Sequence, residues 1–263
     1  MKKTVVFSAL FFCASFFHAN AVEMTIAYEN KEQPPYYMGN SDEVISPRPG
    51  VSVEMVKMLE ERIPGLSIRL VRYPWRRCTV SLGENLVDGI FNASYSKERL
   101  VIGWYPTKDH SHDGLEDTDR RIATITYSLY TLKDSKLGWD GKIFSGVHGN
   151  IGAPLGYSVV NDLRKLNVPV EEAPSTVNNL DKLLMGRVAA VALQDVTADK
   201  IIRNNSKYAD IVKVNPPFLS KHYYLMLSHN FVKANPDLAQ KIWDELKDIR
   251  NTSFDKIAEN YSE

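Results

Sequence analysis

The alternation of β-prone and helix-prone segments at the start of the chain is the feature that most limits its fold. Residues 24–28 (MTIAY), 66–73 (LSIRLVRY) and 88–91 (DGIF) are short apolar runs typical of strands. Between them, apolar residues recur at three- and four-residue steps over residues 51–62, and a second helical pattern spans residues 74–86. The order strand, helix, strand, helix, strand predicts a parallel α/β sheet.

A second unit of the same kind follows in weaker form. A polar, charged segment over residues 108–121 separates it from the first unit and predicts a solvated connection. The elements predicted for the second unit are strands over residues 142–147, 168–171 and 188–193, and helices over residues 158–166 and 177–185.

The last fifty residues contain one more strand and one long helix. Residues 222–227 (HYYLML) have the composition of a strand. Asn235 is predicted to be the N-cap of the helix, with Pro236 at its first position. Leucine and isoleucine then recur along one helical face. We predict that this strand and helix return to the first unit.

Residues 1–21 have the pattern of an export signal. Two lysines are followed by an uncharged apolar stretch over residues 5–17, too short to span a bilayer, and then by the small-x-small site Ala19-Asn20-Ala21. The mature chain is therefore expected to be residues 22–263, outside the cytoplasm. Cys13 raises the alternative of a lipoprotein anchor, but the phenylalanines before it are too bulky for such a processing site.

The composition of the mature chain excludes some classes of partner. Removing residues 1–21 takes away two lysines, which leaves 30 Lys and Arg against 32 Asp and Glu and a net charge of −2. A nucleic-acid partner is not expected at this charge. Cys78 is then the single remaining cysteine, so no intramolecular disulfide can form. We expect a monomer that is stabilised by packing.

Several short motifs, in this order and spacing, resemble the type II periplasmic solute-binding proteins, specifically the family that includes the polar amino-acid receptors of ABC importers. The resemblance covers nearly all of the mature chain. Its parts are Pro34-Pro35-Tyr36, Gly50-Val51, Pro74-Trp75, Asp88-Gly89-Ile90, the segment from Ser94 to Arg99, Gly186-Arg187-Val188 and the ending Phe254-Asp255-Lys256-Ile257.

The resemblance implies an α/β fold of two lobes, each a mostly parallel sheet flanked by helices, joined by two crossover strands near residues 124–132 and 222–227. Lobe one would contain residues 22–124 and 222–263, and lobe two residues 125–221. A small polar or anionic metabolite, with amino acids among the candidates, would bind in the cleft, and the lobes would close over it. The partner would be a membrane permease of the ABC type.

Two other functions are compatible with the same resemblance. In one of these functions, the closed form would dock on a membrane sensor. In the other, the chain would be a secreted enzyme like cyclohexadienyl dehydratase, which needs a pocket acid or base with a tuned pKa. The sequence offers no convincing group of that kind, so we do not expect an enzyme or a cofactor.

Arg99 is the residue on which the predicted site depends most. The resemblance implies that it clamps the carboxylate of a ligand, with the hydroxyls of Ser94 and Ser96 beside it. A guanidinium offers a planar fork to a carboxylate, and exclusion of water strengthens such a pair. The alternative is that Arg99 lies on the surface and pairs with Glu98.

Five further residues of the first unit are candidate ligand contacts. Tyr28, Tyr36 and Trp75 could supply flat walls, although each is as typical of a plain core position. Arg77 would add a second cation if it points into the cleft, but a solvated helix position is the alternative. Asn92 occupies a place where relatives often have a small polar residue beside the carboxylate.

The second unit departs from the resemblance at two places. Gln194 stands where the amino-acid receptors usually have an acidic residue for the ligand ammonium, and Asp195 comes one residue late. Because strand side chains alternate faces, Asp195 would turn away from the cleft, which places amine recognition in doubt. The compact glycine turn of the family is replaced by a longer segment over residues 149–158. Gly156 and Ser158 could still present backbone N–H groups to an anion, although Ser158 could be only a helix cap.

Other site chemistry finds little support in the sequence. His110, His112 and Asp113 have a spacing that could touch a metal, but a solvated loop is the favoured interpretation and no metal is expected. Cys78 is interpreted as a small buried apolar residue.

Overall fold

A computed structural model describes residues 21–261, so the predicted export signal lies, apart from its last residue, outside the described residues. Ten strands lie within this described part of the chain. In chain order they are Val22–Glu29 (β1), Leu66–Tyr73 (β2), Gly89–Ser94 (β3), Ala123–Leu132 (β4), Gly138–Trp139 (β5), Phe144–Ser145 (β6), Ile151–Pro154 (β7), Val170–Ala173 (β8), Ala190–Gln194 (β9) and Ile211–Leu227 (β10).

Eight α-helices and three short 3₁₀ helices connect these strands. The α-helices are Val51–Lys57 (α1), Leu59–Arg62 (α2), Trp75–Gly83 (α3), Ser158–Lys165 (α4), Thr176–Leu184 (α5), Asp195–Arg203 (α6), His229–Ala234 (α7) and Pro236–Glu259 (α8). The 3₁₀ helices are Lys97–Ile102, Thr118–Arg120 and Ser206–Tyr208.

Eight of the strands form one sheet in the order β2-β1-β3-β10-β4-β9-β7-β8. Strands β2, β1 and β3 are parallel to one another, as are β9, β7 and β8. Between these two groups lie β10 and β4, which pair antiparallel with each other and with their outer neighbours. The molecule therefore has two α/β lobes, called lobe one and lobe two after their strand groups, joined by two long crossover strands. This confirms the predicted fold class.

The C-terminal helix α8 packs against the end of β10. Trp243 of α8 is buried and donates a hydrogen bond from its indole N–H to the Leu225 carbonyl oxygen, 2.8 Å away, on β10. Leu246 on the same helix is fully buried. Pro236 begins α8 after Asn235, but the Asn235 side chain donates back to the Phe231 carbonyl and does not cap the helix.

One predicted strand is wrong, and the strand that replaces it was interpreted as a loop. Within residues 142–147, only Phe144–Ser145 is extended, and it pairs with Gly138–Trp139 in a separate hairpin. The parallel strand of lobe two is Ile151–Pro154, whose four residues are all buried. Within residues 142–147, Ile143 is 71% exposed, whereas Phe144 packs against the core from outside the main sheet. The turn before α4 is thus compact after all.

Two features near the lobes were also missed from the sequence. Helix α6 begins directly at the end of β9, where no helix was predicted. The polar segment over residues 108–121, expected to be only a solvated connection, contains the buried Arg120, which pairs with Asp244 on α8 at 2.9 Å.

Within residues 21–261, no helix combines the length and the apolar character that crossing a membrane requires.

Candidate functional site

A small cavity lies where the carboxyl end of β3 faces the turn before α4. Its volume of about 10 Å³ is close to the minimum that one water molecule needs. The lobes are therefore closed on each other at this point. The residues that line the cavity are Tyr37, Trp75, Asn92, Ser94, Arg99, Tyr157 and Tyr223.

Arg99 reaches from lobe one across the cavity to lobe two. Its Nη1 donates to the Ser94 carbonyl oxygen at 2.9 Å and to the Ser94 hydroxyl at 3.1 Å, and its Nη2 donates to the Gly156 carbonyl oxygen at 3.1 Å. The guanidinium lies over the Trp75 ring, 5.3 Å from its centroid. Among the described residues, Arg99 makes no ion pair, which disagrees with the alternative of a surface pair with Glu98. A half-buried cation bonded only to neutral oxygens suits an anionic ligand group.

Gly156 holds the turn that meets Arg99. Its φ of +74° lies in the left-handed region that favours glycine, and the Trp75 ring lies 3.6 Å from where a Cβ would stand. The Gly156 N–H donates to Glu172 at 2.8 Å, so it is not directed at the cavity, contrary to the expectation. This turn therefore contributes to the site through the Gly156 carbonyl oxygen, which accepts the hydrogen bond from Arg99.

Ser94 continues into a polar chain that crosses from lobe one to lobe two. Its hydroxyl lies 2.7 Å from the Ser158 hydroxyl, which accepts a hydrogen bond from Lys221 Nζ, also at 2.7 Å. Lys221, on β10, pairs with Asp162 at 2.5 Å. Burial lowers the pKa of Lys221, and the ion pair opposes that shift. Ser158 is the first residue of α4 and does not cap it, which disagrees with the cap interpretation.

Asn92 combines an unusual backbone with an unsatisfied side chain. It sits inside β3 with a φ of +55°, a region that few residues other than glycine adopt. The side chain is 6% exposed, and neither its oxygen nor its nitrogen has a hydrogen-bond partner within residues 21–261. The indole N–H of the neighbouring Trp75 is also buried without a partner in that part of the chain. Such groups are costly unless a ligand satisfies them, which makes them candidates for function.

A buried carboxyl group lies behind the cavity. Glu29, the last residue of β1, accepts a hydrogen bond from the Tyr37 hydroxyl at 2.8 Å and a short one from the Tyr157 hydroxyl of lobe two. Burial raises the pKa of Glu29 to about 7, although the two hydroxyls and Arg72 oppose the shift. The Glu29–Tyr157 bond is a direct contact between the lobes.

Gln194 and Asp195 take different directions at the end of β9. Gln194 is buried, and its Nε2 lies 3.2 Å from the hydroxyl of the cavity-lining Tyr223. Its Oε1 has no partner among the described residues. Asp195 begins α6 and pairs with Lys213 at 3.4 Å. The strand ends at Gln194, so the direction of Asp195 is set by the first turn of α6 and not by strand alternation.

Three other candidates lie away from the cavity. Tyr28 is a core residue that is 1% exposed and stacks on Phe91 with ring centroids 4.8 Å apart. Tyr36 is buried, and burial raises its pKa to about 12. Arg77 is exposed, with its guanidinium 4.0 Å from the centroid of the Tyr73 ring. The solvated alternative for Arg77 therefore holds.

Several residues at the cavity were not singled out from the sequence. Tyr157 and Tyr223 were interpreted only as parts of a loop and a strand, and Lys221 was not considered. Glu29 had one available signal, since it ends a parallel strand, and ligands of α/β sheets bind beyond the carboxyl ends of strands.

Other surfaces carry less chemistry. A groove of about 580 Å³ near Trp104 and His229 and one of about 470 Å³ near Lys200 and Tyr261 are larger. Neither is lined by the unsatisfied buried groups described above. In residues 21–261 no three histidine, cysteine or acidic side chains gather as a metal site would require. Cys78 is buried, and burial raises the pKa of its thiol to about 12.

Comparison with known proteins finds solved structures whose fold is similar to that of this chain. No protein-family model matches the sequence, and no curated protein matches it. The arginine-, lysine-, histidine-binding protein ArtJ from Geobacillus stearothermophilus is similar with a TM-score of 0.70 and 17% identity, over 92% of this chain and 95% of that chain.

Two further solved structures are similar over the whole fold. A histidine kinase sensor domain with similarity to periplasmic binding proteins has a TM-score of 0.69 and 14% identity, over 91% of this chain and 96% of that chain. An ancestral amino acid-binding protein, a precursor of cyclohexadienyl dehydratase, has a TM-score of 0.65 and 14% identity, over 92% of this chain and 96% of that chain. The sheet order and these likenesses together show that the chain has the two-lobed fold of the type II periplasmic binding proteins.

Proposed function

We propose that this protein is an exported binding protein that captures a small carboxylate-bearing metabolite between its lobes and delivers it to an ABC-type permease in the membrane. The observation that carries the proposal is Arg99, a half-buried cation without an ion pair in the described part of the chain, bonded to oxygens of both lobes. The similar structures support it, because two of them are amino-acid-binding proteins. The proposal includes cleavage after Ala21 and a monomeric mature chain.

Replacement of Arg99 tests the site. Wild type would be screened against small carboxylates by thermal shift, and each hit measured by calorimetry. Arg99→Ala should lose about 2–5 kcal/mol of binding free energy, because it leaves a buried ligand charge unpaired. Arg99→Lys should also bind poorly, since a point charge cannot make two parallel hydrogen bonds.

Arg77→Ala is the matched control, because Arg77 is an exposed arginine that does not line the cavity. It should bind like wild type, and both variants should melt where ligand-free wild type does. Binding of Arg99→Ala within a factor of about two of wild type, or less than ~0.5 kcal/mol, would mean that Arg99 does not clamp the ligand.

A sensory role is the second candidate, because the fold is similar to a histidine kinase sensor domain. The ligand-loaded protein would then bind a membrane sensor in place of a permease. Capture of purified permease and sensor domains by the loaded protein separates the two roles.

The sequence read from the N-terminus of the exported protein should begin at Val22. Material that still begins at Met1 would contradict the export signal.

A further inference from the structure

We infer that the ligand of this cleft is a small hydroxy acid, a carboxylate with a hydroxyl group beside it, and not an amino acid. The inference rests on the proposed function and names the class of ligand for the same site. It follows from two observations. Several hydrogen-bonding groups near the cavity lack partners, and the carboxyl groups near it already have partners.

The unsatisfied groups at the cavity need both a donor and an acceptor. The Asn92 amide offers one of each, and neither has a partner within the described residues. Trp75 Nε1 needs an acceptor, and Oε1 of Gln194, which lies behind the cavity-lining Tyr223, needs a donor. An ammonium group has only donors, so it would leave Trp75 and the Asn92 nitrogen unsatisfied. A hydroxyl group donates and accepts, so it can serve both kinds of group.

No carboxyl group lines the cavity among the described residues, and the three that lie in the surrounding shell are already engaged. Asp195 pairs with Lys213, and Asp162 pairs with Lys221. Glu29 accepts hydrogen bonds from two tyrosine hydroxyls and is 4% exposed. An ammonium group in this cleft would therefore find neutral oxygens in place of a free carboxylate.

The charge of the cleft agrees with a ligand that carries one negative charge. The Lys221–Asp162 pair is neutral as a unit, so among the cations that residues 21–261 place at the cleft, Arg99 is left to be balanced. A hydroxy acid supplies a single carboxylate for the guanidinium and leaves no second charge to bury. An amino acid would bury an ammonium group without an anionic partner, which is costly in a site that excludes water.

Matched pairs of ligands test the inference. The probes are glycolate and glycine, lactate and alanine, 2-hydroxyisovalerate and valine, and phenyllactate and phenylalanine, each chiral compound as both enantiomers. Calorimetry on the wild-type protein should show the hydroxy acid binding at least about 30-fold more tightly in each pair that binds.

Equal or tighter binding of the amino acids, with loss of that binding in Arg99→Ala, would overturn the inference and leave the proposed function in place. Failure of all eight compounds to bind, when another small carboxylate from the thermal-shift screen does bind, would overturn the inference alone, and the absence of any carboxylate ligand would overturn both. The wild-type comparison decides the question even if a variant fails to fold.

A substitution at Gln194 tests the same point in the opposite direction. Gln194→Glu places a carboxylate at the end of β9, so the preference should move toward the amino acid of each pair by at least about 10-fold. Asp195→Asn is the control, because Asp195 faces Lys213, and it should leave the preference unchanged. An unchanged preference in a folded Gln194→Glu protein, or loss of amino-acid binding in Asp195→Asn, would contradict the inference.

Discussion

Asn92 is the residue at which stability and binding are expected to conflict. Its backbone lies in a region that costs a non-glycine residue free energy, and its amide is buried without partners in the described chain. Structures keep such a residue when it serves a site. The backbone conformation of Asn92 could not be predicted from its place in an apolar strand, because the residues on either side of it are typical of a strand.

Replacing Asn92 with glycine should separate these two effects. Asn92→Gly removes both the strain and the unsatisfied amide, but it makes the unfolded chain more flexible, so the free energy of unfolding should change by no more than about 1 kcal/mol. Ligand affinity should fall at least about 10-fold, because the amide contact is lost. Urea unfolding and calorimetry measure the two quantities.

Asn167→Gly is the control for the Asn92 experiment. Asn167 also has a positive φ, of 60°, but it is exposed in a turn of lobe two. Its replacement should leave affinity unchanged. If Asn92→Gly binds as wild type does, Asn92 does not contact the ligand.

Glu29 should make stability depend on pH. Its pKa is about 7 in the folded protein, against an ordinary value of 4.5, so the folded state binds more protons between these values. The contribution of Glu29 to stability is therefore fully present below about pH 4.5 and is lost as the pH rises toward 7, by at most about 3 kcal/mol. Urea unfolding of wild type and Glu29→Gln at pH 5 and pH 8 checks this.

The Glu29→Gln variant should lose less stability than wild type between pH 5 and pH 8, because glutamine does not titrate. Its amide oxygen can still accept the hydrogen bonds from Tyr37 and Tyr157. Parallel pH profiles of the two proteins would show that Glu29 is not the source of the dependence.

Among the elements, α8 joins the end of the chain to lobe one. Leu246→Ala should lower the free energy of unfolding by about 2–5 kcal/mol, because Leu246 is fully buried on the face that packs on lobe one. Leu238→Ala on the same helix should cost less, since Leu238 is only partly buried. Chemical unfolding of both variants gives the comparison, and equal losses would contradict this packing.

Elements with a strong periodic pattern were predictable, and those defined by tertiary contacts were not. Residues 66–73 have alternating and β-branched residues, and β2 has those bounds. Strand β7 contains a glycine and a proline in four residues, which is typical of a turn, and it is extended because β8 and β9 pair with it. Helix α6 follows β9 without a loop, so no turn residue marked its start.

The candidate site was predictable only in part for a related reason. Arg99, Ser94, Trp75 and Asn92 lie close together in the sequence, within motifs that resemble those of known receptors. Tyr157 and Lys221 reach the cavity from lobe two and a crossover strand, and their positions depend on how the lobes close. Arg77 was considered because it lies near Trp75, but its helix turns it toward solvent.

On the scale of the whole molecule, direct contacts hold the closed arrangement around a cavity of about 10 Å³. Tyr157 bonds Glu29, Arg99 bonds the Gly156 carbonyl, and Thr197 donates to the Pro34 carbonyl at 2.9 Å. A ligand must take over some of these bonds when it enters. It shifts the population toward closure only by its higher affinity for the closed state.

The Tyr157–Glu29 bond allows the balance between open and closed forms to be measured. Tyr157→Phe removes the hydroxyl that links lobe two to the buried carboxyl of lobe one, so the ligand-free protein should open further and its radius of gyration in small-angle scattering should rise. Saturating ligand should lower the radius again, because Arg99 and its partners remain. Tyr208→Phe is the control: it removes a 2.9 Å bond from a tyrosine to Asp181 within lobe two, so the lobes should stay as in wild type. Equal radii for ligand-free wild type and Tyr157→Phe would mean that this bond does not stabilise closure. An unchanged radius of gyration when ligand is added to wild type would mean that binding does not move the lobes.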